Sequence, residues 1–551
     1  MKINHLISSF LIALLVLLSC SNESSKVEPE LVVSTNELNI DKEGVIQSFY
    51  VKSNLDWTIS SSGDWCSITP ASGTAGTNKI ELVVNENTTT EKRTAELTVT
   101  AGGINKIITI NQDKTDLINI SNGQYNIESS EQQISVQLET SDDFTVTIDV
   151  DWIVQNSLKA LTDSTITFTV SENNSYLDRV GKISFTLNDI TETAIVKQGG
   201  VDISIPEDKT GMESDAMTLA SKMIVGWNIG NTMEVPTGET DWGNPMVNQQ
   251  LIDGVKNAGF NAIRIPCAWN SYIVDEETYK ISDEWLVRVK EVIDYCYNAD
   301  MYIVLNIHWD GGWLENYPLY SYQEAVNEKQ YALWSQIATY FRDYDEHLLF
   351  AGTNEVHEDG VYTTPTSENI EVQESYNQTF IDAVRATGGK NAYRNLVIQT
   401  YNTNIYWGYD YHTMSTDVVE DRLFVEVHYY DPYNFCLNTG SNAESTWEDD
   451  GQIDDAFSKV KSKYVDNGIP AILGEYGVVI RDNLSGEAFT QAETSRYNYY
   501  KKINQAAKQN GIITFAWDIG IRDNNGMKLF DRTNGEVTDV DIVEAIMSGV
   551  E

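Results

Sequence analysis

Two glutamates stand where short apolar runs of the sequence end. Glu355 closes the run LLFAGTNE (residues 348–355), and Glu475 lies near the end of AILGEYG (residues 471–477). Because strands bury their apolar side chains, a carboxylate at such a position has either reached solvent or is held in a site. A pair of carboxylates can divide acid–base work, with one group donating a proton while the other attacks or activates water.

Other polar and aromatic residues occupy equivalent positions. A single His or Trp at the end of an apolar run is more often a packing residue, but here many run ends carry groups of compatible chemistry. Two of the six histidines in the chain fall at these positions. The convergence predicts that Glu355 and Glu475 are held in a site. The remaining candidates are Arg264, Asn306, His308, Asn354, His428, Tyr430 and Trp517.

The elements that must position these residues are eight short apolar runs that alternate with helical patterns from about residue 201 onward. One helical segment, SDEWLVRVKEVIDYCYN, repeats its apolar residues with a helical period behind an N-cap candidate at Ser282. The alternation predicts an α/β (β/α)8 TIM barrel over residues 201–551, whose active site lies at the C-terminal ends of its strands. The runs are MIVGWNIG, NAIRIP, YIVLNIHW, LLFAGTNE, NLVIQTYN, LFVEVHYY, AILGEYG and IITFAWDIG.

Residues 31–200 have a different sequence pattern, which occurs twice. Short alternating runs rich in Val, Ile and Thr, broken by Gly, Asn and Ser, are typical of small β-sandwiches. The repeat predicts two all-β, immunoglobulin-like sandwiches over residues 31–113 and 114–200. Trp57, Trp65 and Trp152 lie within core patterns, so we expect spacers, with sugar-binding modules as the alternative. The residues that recur are Trp65 as Trp152, Arg93 as Arg179, and Gln112 as Gln198.

The N-terminus, MKINHLISSFLIALLVLLSC, has a basic start and an apolar stretch typical of a secretory signal. Its end, LLSC, resembles the bacterial lipobox, which implies a lipoprotein signal peptide over residues 1–19, lipidation of Cys20 and a tether over 20–30. A plain signal peptide is the alternative. We expect a bacterial cell-envelope protein held by its lipid alone, at the outer membrane and cell surface, with the inner membrane also open.

Charge and cysteine usage exclude several kinds of partner. The chain has 82 acidic and 37 basic side chains and a net charge of −45, which repels nucleic acid and anionic lipid headgroups and favours a neutral substrate. Cys66, Cys267, Cys296 and Cys436 show no CxxC spacing, so we expect buried free thiols and no zinc. We expect no cofactor and no other metal, and a monomeric protein.

Two carboxylates beside a ring of neutral donors fit glycoside hydrolysis. The region from about 222 to 520, with GWNIGNT and NIHWDGGW, resembles glycoside hydrolase family 5, and within it the subfamily 4 β-glucan endohydrolases. The two sandwiches resemble BACON domains through the Trp, the Asn-to-Arg turn and the closing Gln. The chain departs from the family where Val356 follows Asn-Glu in place of Pro and where Trp309 replaces a second His.

The resemblance implies a role for each site residue. Glu355 would be the general acid/base and Glu475 the nucleophile of a retaining enzyme, with the pKa of Glu355 raised so that it stays protonated until it donates. Arg264 would hold Glu475 ionised, and Tyr430 would bond the same carboxylate. Asn354 would bind the sugar 2-hydroxyl, His308 and His428 would hold hydroxyls or orient the acid, and Trp517 would floor the −1 subsite.

The same resemblance implies internal cleavage of a plant β-1,4-glucan, either xyloglucan, a cellulose-like chain or mixed-linkage glucan, with xyloglucan preferred. An endo-β-1,4-mannanase and a non-catalytic surface glycan-binding lipoprotein are the alternatives. Glu426, in the middle of LFVEVHYY, is expected to be an interior structural carboxylate. Candidate sugar platforms in the loops after strands are Trp242, Trp269, Trp313, Tyr406, Trp407 and Trp447.

Overall fold

The computed structural model describes residues 27–156, 164–523 and 526–551. The expected signal peptide and the lipidation site at Cys20 lie outside these residues. Among the helices of the described segments, none combines the length and apolar character needed to cross a bilayer. Cys66, Cys267, Cys296 and Cys436 are buried free thiols, as the sequence predicts.

The first module is a β-sandwich, as predicted. One sheet has the strand order β1-β3-β7-β5 and the other β2-β9-β8-β4-β6. Apolar residues of both sheets, among them Val51, Leu82, Leu97 and Ile110, form one buried core that includes Trp57. The strands are β1 (Leu31–Val33), β2 (Glu37–Ile40), β3 (Val45–Ser53), β4 (Trp57–Ser61), β5 (Cys66–Thr69), β6 (Ser72–Gly73), β7 (Gly76–Val84), β8 (Arg93–Ala101) and β9 (Ile104–Gln112).

The second module repeats this arrangement. Its sheets have the orders β10-β12-β15-β14 and β11-β17-β16-β13. Phe168 of one sheet and Phe185 of the other are fully buried and pack edge to face, with ring centroids 6.2 Å apart. The strands are β10 (Ile118–Ile120), β11 (Gln124–Ile127), β12 (Gln132–Thr140), β13 (Thr145–Ile148), β14 (Ile153–Gln155), β15 (Ser164–Val170), β16 (Arg179–Leu187) and β17 (Ile190–Gln198).

The recurring arginine and glutamine make the same contact in both modules. Arg93 Nε donates to Gln112 Oε1 at 2.8 Å, and Arg179 Nε donates to Gln198 Oε1 at 2.9 Å. Gln112 and Gln198 are buried. Because a buried amide needs partners, the repeat seen in the sequence is preserved by hydrogen bonding rather than by apolar packing alone.

The eight predicted apolar runs form the eight strands of a closed parallel barrel, in the order β18-β19-β22-β23-β24-β25-β26-β27. Their side chains are buried on both faces, which explains why the runs are almost continuously apolar. A short hairpin, β20 (Ile273–Asp275) and β21 (Lys280–Ile281), follows the second strand. The barrel strands are β18 (Gly226–Asn228), β19 (Ala262–Ile265), β22 (Tyr302–Asn306), β23 (Leu348–Ala351), β24 (Leu396–Asn404), β25 (Leu423–Tyr429), β26 (Ala471–Tyr476) and β27 (Ile512–Ala516).

Helices follow the barrel strands. The helix predicted behind Ser282 is α3, and the Ser282 hydroxyl accepts from the Trp285 N–H as an N-cap. The apolar face of α3, including Leu286, Val289 and Ile293, is buried in the main core. The helices are α1 (Ala216–Ala220), α2 (Gln249–Asn257), α3 (Asp283–Asn298), α4 (Tyr320–Tyr340), α5 (Ser367–Ala386), α6 (Ile405–Tyr411), α7 (Tyr433–Cys436), α8 (Gln452–Lys463), α9 (Gly486–Asn510) and α10 (Val540–Val550).

Candidate active site

The barrel brings eight of the nine predicted site residues together at the C-terminal ends of its strands, and the ninth, Asn306, is the last residue of β22, where its Nδ2 lies 3.1 Å from His308 Nδ1. Matched register places neighbouring groups side by side, since Arg264 pairs with Asn228 and Glu475 pairs with His428 across adjacent strands. The eight residues are Arg264 in β19, His308 after β22, Asn354 and Glu355 after β23, His428 in β25, Tyr430 after β25, Glu475 in β26 and Trp517 after β27.

Glu475 is held at both of its oxygens. Arg264 Nη1 donates to Oε1 at 2.9 Å, and the Tyr430 hydroxyl donates to Oε2 at 3.0 Å. The side chain is only 7% exposed. Two donors from different strands therefore fix the plane of this carboxylate and leave one edge toward the cleft.

Glu355 is held in another way. Its φ of +43° lies in the left-handed region, which a residue with a side chain adopts at a cost of about 1–3 kcal/mol. The Glu355 N–H donates to Gln399 Oε1 at 3.0 Å, and its Oε1 lies 2.7 Å from His428 Nδ1. The side chain is 34% exposed, so the turn presents the carboxyl to the cleft while its backbone stays anchored.

The two carboxyls lie close together. Ligand atoms of Glu355, His428 and Glu475 all lie within 4.8 Å of one another. Retaining hydrolysis places its two carboxyls about 5–5.5 Å apart, whereas inverting enzymes open about 6.5–9.5 Å for a water. The short separation matches direct attack on the sugar by one of the two groups.

Arg264 connects the groups of the site. It is fully buried, and besides Glu475 it reaches Asn354 Oδ1 from Nη2 at 2.8 Å and Asn228 Oδ1 from Nη1 at 3.1 Å. Its Nε lies 2.9 Å from Glu426 Oε1. Burial works against the guanidinium charge, but Glu426 and Glu475 outweigh it and raise the pKa of Arg264. The arginine therefore stays charged and orients the amide of Asn354.

His428 lies between two carboxylates. Its Nδ1 faces Glu355, and its Nε2 lies 3.0 Å from Glu426 Oε1. Burial lowers the pKa of His428, yet Glu475, Glu355 and Glu426 together raise it to about 10. An imidazolium carries hydrogen on both ring nitrogens, so His428 can donate to Glu355 from Nδ1 and to Glu426 from Nε2.

The pKa values of the two site carboxyls differ from the sequence-based expectation. Burial raises the pKa of Glu355, but the hydrogen bond and charge of His428 lower it below its usual range. Burial raises the pKa of Glu475, and the charge of Glu355 adds to this against the opposing effects of His428, Arg264 and Tyr430. We expected the raised value at Glu355; the imidazolium 2.7 Å away reverses it, because the proton is stored on His428.

The cleft above these groups has a volume of about 540 Å³. His308 and Trp517 form one wall, with ring centroids 5.8 Å apart and planes 13° from parallel. Burial, with the charges of Arg264 and His428, keeps the pKa of His308 well below its usual value, so its ring is neutral. The lining residues are His308, Glu355, Tyr430, Leu437, Thr439, Glu475, Val479, Trp517, Ile519 and Met527.

Sequence reasoning missed three residues that contact the site. Asn228 ends the first barrel strand, and Gln399 interrupts the apolar run of the fifth. Both are fully buried, and their polar types within apolar runs were the available signal. Glu315 lies in the loop after β22, where its Oε2 accepts from Asn354 Nδ2 at 3.4 Å. Nothing in the local pattern around Glu315 marked it.

The candidate sugar platforms fall into different groups. Trp269 is fully buried and donates to Asn306 O, so it is a core residue. Trp447 is partly buried and packs edge-on against Tyr499 at 5.2 Å. Trp242 and Trp309 are 41% and 40% exposed, and their ring centroids lie 6.4 Å apart. These two rings, on loops after β18 and β22, are available for stacking. Trp313, Tyr406 and Trp407 are partly buried.

Known families match most of the chain. The cellulase model, described as glycosyl hydrolase family 5, matches residues 227–523. A viral BACON domain model matches residues 30–115, and the BACON model matches residues 138–199. The catalytic family model therefore covers the barrel, and the two BACON matches fall on the two sandwiches.

Similar proteins include a xyloglucan-specific endo-β-1,4-glucanase of Bacteroides ovatus, 32% identical, with 97% of this chain and 94% of that protein covered. Endoglucanase A of Paenibacillus barcinonensis is 33% identical over 61% of this chain and 90% of its own length. The structure of a Bacteroides ovatus family 5 xyloglucanase in complex with a XXXG heptasaccharide covers 95% of this chain and 99% of that chain, with a TM-score of 0.61 and 32% identity. Because one relative aligns along nearly the whole length and the family model spans more than half of it, the chain belongs to glycosyl hydrolase family 5 and carries N-terminal BACON domains.

Proposed function

We propose that this protein is a retaining endo-β-1,4-glucanase whose preferred substrate is xyloglucan. The observation that carries the proposal is a pair of carboxyl groups that line an open cleft, with one oxygen of Glu355 within 4.8 Å of one oxygen of Glu475. Glu475 is held by two donors, as expected of a fixed nucleophile. Glu355 shares a proton with His428, as expected of an acid.

The geometry supports a double displacement. Glu475 attacks the anomeric carbon, and the bond from that carbon to the leaving oxygen breaks as Glu355 gives that oxygen its proton. In the second step Glu355 takes a proton from water, the water oxygen bonds to the anomeric carbon, and Glu475 leaves as a carboxylate. Two inversions at one carbon give net retention.

The surrounding residues support each role. Arg264 and Tyr430 orient Glu475 and favour its ionised form. Asn354 has its oxygen fixed toward Arg264, which turns its NH₂ group away from the guanidinium toward Glu315 and the sugar-binding side. A contact from this NH₂ to the sugar 2-hydroxyl would strengthen toward the transition state.

The choice of xyloglucan rests on the relatives and on the cleft. A relative aligned over 97% of this chain is named as xyloglucan-specific. Xyloglucanase structures with XXXG and XXLG bound also align with this chain. The cleft is open, and Trp242 and Trp309 are exposed on loops that follow barrel strands, which suits a branched chain. Other aligned structures are of broad-specificity endoglucanases, so unbranched β-1,4-glucans are the second candidate.

The test measures reducing ends released from xyloglucan, carboxymethyl cellulose, mixed-linkage glucan and mannan. We expect fastest release from xyloglucan, with oligosaccharide products of several lengths. NMR of the fresh hydrolysate should show the β-anomer first. Activity confined to mannan, release of monosaccharide alone, or the α-anomer first would each contradict the proposal.

We also propose that the mature chain begins at a lipidated Cys20 and is displayed at the outer membrane. The support is the lipobox-like LLSC and the polar SNESSK that follows it. Mass spectrometry of the N-terminus of protein from bacterial membranes should show a diacylglyceryl cysteine. An unmodified N-terminus elsewhere would contradict the anchor. If protease added to intact cells left the protein undegraded, surface display would be contradicted.

The two sandwiches are proposed as spacers that extend the barrel away from its anchor, and the protein as a monomer. Trp57 is 1% exposed, and the ring of Trp65 is covered by the Arg93 guanidinium 4.4 Å from its centroid. Neither ring offers a free face to a sugar. A chain starting near Val201 should keep the rate on soluble xyloglucan, and retardation of the isolated sandwiches in xyloglucan gels would contradict the spacer role. Light scattering should give the monomer mass.

A further inference from the structure

Glu426 is a buried carboxylate that contacts residues of the site in addition to the two reacting groups. It is fully buried in β25, two residues before His428, so both side chains point to the same face of the strand. Its Oε1 lies 2.9 Å from Arg264 Nε and 3.0 Å from His428 Nε2. A single oxygen therefore joins the cation beside Glu475 to the imidazole beside Glu355.

The fold leaves space for this carboxylate. Gly474 lies on the adjacent strand β26, directly before Glu475, and a Cβ at that position would come within 2.0 Å of Glu426 Oε1. Gln399 lies at the matched position on β24, in register with Glu426. Both neighbouring strands thus carry residues compatible with a buried carboxylate at this point.

Glu426 is ionised in this setting. Burial raises the pKa of its carboxyl, but the charges of Arg264 and His428 outweigh burial and lower it. An ionised carboxylate only accepts hydrogen bonds. His428 Nε2 must therefore carry a hydrogen, and only the protonation of Nδ1 can change.

We propose that Glu426 is a positioning residue, which fixes the Nε2–H form of His428 so that Nδ1 and Glu355 share the proton used in catalysis. The contact between Nδ1 and Glu355 Oε1, at 2.7 Å, is a hydrogen bond that needs a single proton. That proton is either on Nδ1, giving imidazolium and carboxylate, or on Glu355, giving neutral imidazole and carboxylic acid. This inference rests on the proposed retaining mechanism.

The shared proton has a consequence for both steps of the reaction. In the first step Glu355 gives the proton to the leaving oxygen, and His428 is left neutral with its Nδ1 lone pair facing the new carboxylate. Two facing acceptors repel each other, so Glu355 becomes a stronger base when it must take a proton from water. The water proton restores the original state, and no further acid is consumed.

Other ionisable groups face Glu426, His428 and Glu355, and they are the same in the wild-type protein and in both variants. They come from the strands and loops around Glu426 and His428, and none is changed in the test below. They are Arg264 on β19, His308 after β22, Glu315 in the following loop, His357 after β23, Tyr430 after β25 and Glu475 on β26.

The test compares Glu426→Gln with Glu426→Asp. Glutamine keeps the size and an acceptor oxygen but removes the charge, so the shared proton should be lost at lower pH, moving the alkaline limb of kcat/KM down by about 1–3 pH units. Aspartate keeps the charge at a shorter reach, so the rate should fall while the alkaline limb stays at its wild-type pH. An alkaline limb unchanged in Glu426→Gln would overturn the proposal, since a merely structural role lowers the rate alone.

A second measurement does not depend on activity. ¹⁵N NMR of the wild-type histidine rings, with His428 assigned by its loss in His428→Asn, should show Nε2 protonated throughout the pH range of the folded protein. A lone pair on Nε2 with hydrogen on Nδ1 would overturn the assignment. If wild type cleaves no glucan, the proposed function fails, and the NMR result still decides the role of Glu426.

Discussion

Replacement of Arg264 by methionine tests the electrostatic organisation of the site most directly. The guanidinium is fully buried and lies 2.9 Å from a carboxylate oxygen of Glu475 and 2.9 Å from one of Glu426. It also donates to Asn354 at 2.8 Å and to Asn228 at 3.1 Å. Methionine fills a similar volume, so the change removes charge and donors while leaving most of the packing.

The loss of stability follows from the buried charges that remain. Breaking a buried ion pair by removing one partner costs about 3–5 kcal/mol, because the other charge stays buried without compensation. Two carboxylates lose their partner here, but His428 still contacts Glu426 and Tyr430 still contacts Glu475. We therefore expect the free energy of unfolding to decrease by about 3–5 kcal/mol, and not by twice that amount.

The effect on pH dependence has a definite sign. Arg264 opposes the burial that raises the pKa of Glu475, so its removal raises that pKa further, by about 1–3 units or about 1.4–4 kcal/mol. The nucleophile must be ionised to attack. The acidic limb of kcat/KM should therefore move to higher pH, with about a tenfold loss of rate for each pH unit below it.

The assay follows kcat/KM against pH with an aryl cellobioside, whose activated leaving group needs little protonation and so isolates the nucleophile. The control is Arg385→Met, which breaks a buried pair with Asp417 on the outside of the barrel, at 2.6 Å. Both variants should lose stability, but only Arg264→Met should shift the acidic limb. An unshifted limb in Arg264→Met, or an equal shift in the control, would refute the reasoning.

Three further outcomes are expected. Glu475→Ala should lose turnover and be rescued by azide with inverted product, whereas Glu355→Ala should still cleave activated aryl glycosides; kinetics and NMR of the products check both, and azide rescue of Glu355→Ala to an inverted product would exchange the roles. Alanine at Trp242 or Trp309 should raise KM for xyloglucan several-fold with little change for an aryl cellobioside, since each ring is about two-fifths exposed on a loop that follows a barrel strand. Equal effects on both substrates would argue against stacking. Burial lowers the pKa of His412 from 6.5 to about 3, so the unfolded chain binds the extra proton between these values and stability falls by about 1.4 kcal/mol per unit as pH drops through that window. His412→Asn should flatten that slope in urea unfolding, and an unchanged slope would contradict it.

The sequence by itself determined the architecture and the two central glutamates. Parallel strands buried on both faces must be nearly continuous apolar runs. The eight barrel strands could therefore be predicted from composition and spacing. Glu355 and Glu475 could be singled out because a carboxylate at the end of such a run is costly to bury unless it is paired and hydrogen-bonded. In the sandwiches, Arg93 and Gln112 were marked as a unit by their repetition as Arg179 and Gln198.

Only the tertiary structure decided which polar groups meet. Closing the barrel brings β19, β23 and β25 to one centre, so Glu426 contacts Arg264 although 162 positions separate them in the numbering. The same closure buries Trp269, which the sequence could not distinguish from the exposed Trp242. Glu315 reaches Asn354 through a loop whose path no local pattern specifies.

The protonation of the site was also a tertiary property. Residue type and position predicted a raised pKa for Glu355, but the direction depends on the 2.7 Å contact with His428 and on the carboxylates around that ring. Electrostatic energies vary with distance and burial, which are set by the packing of strands remote in sequence. Periodicity and composition report which faces are apolar, and they carry no information on these distances.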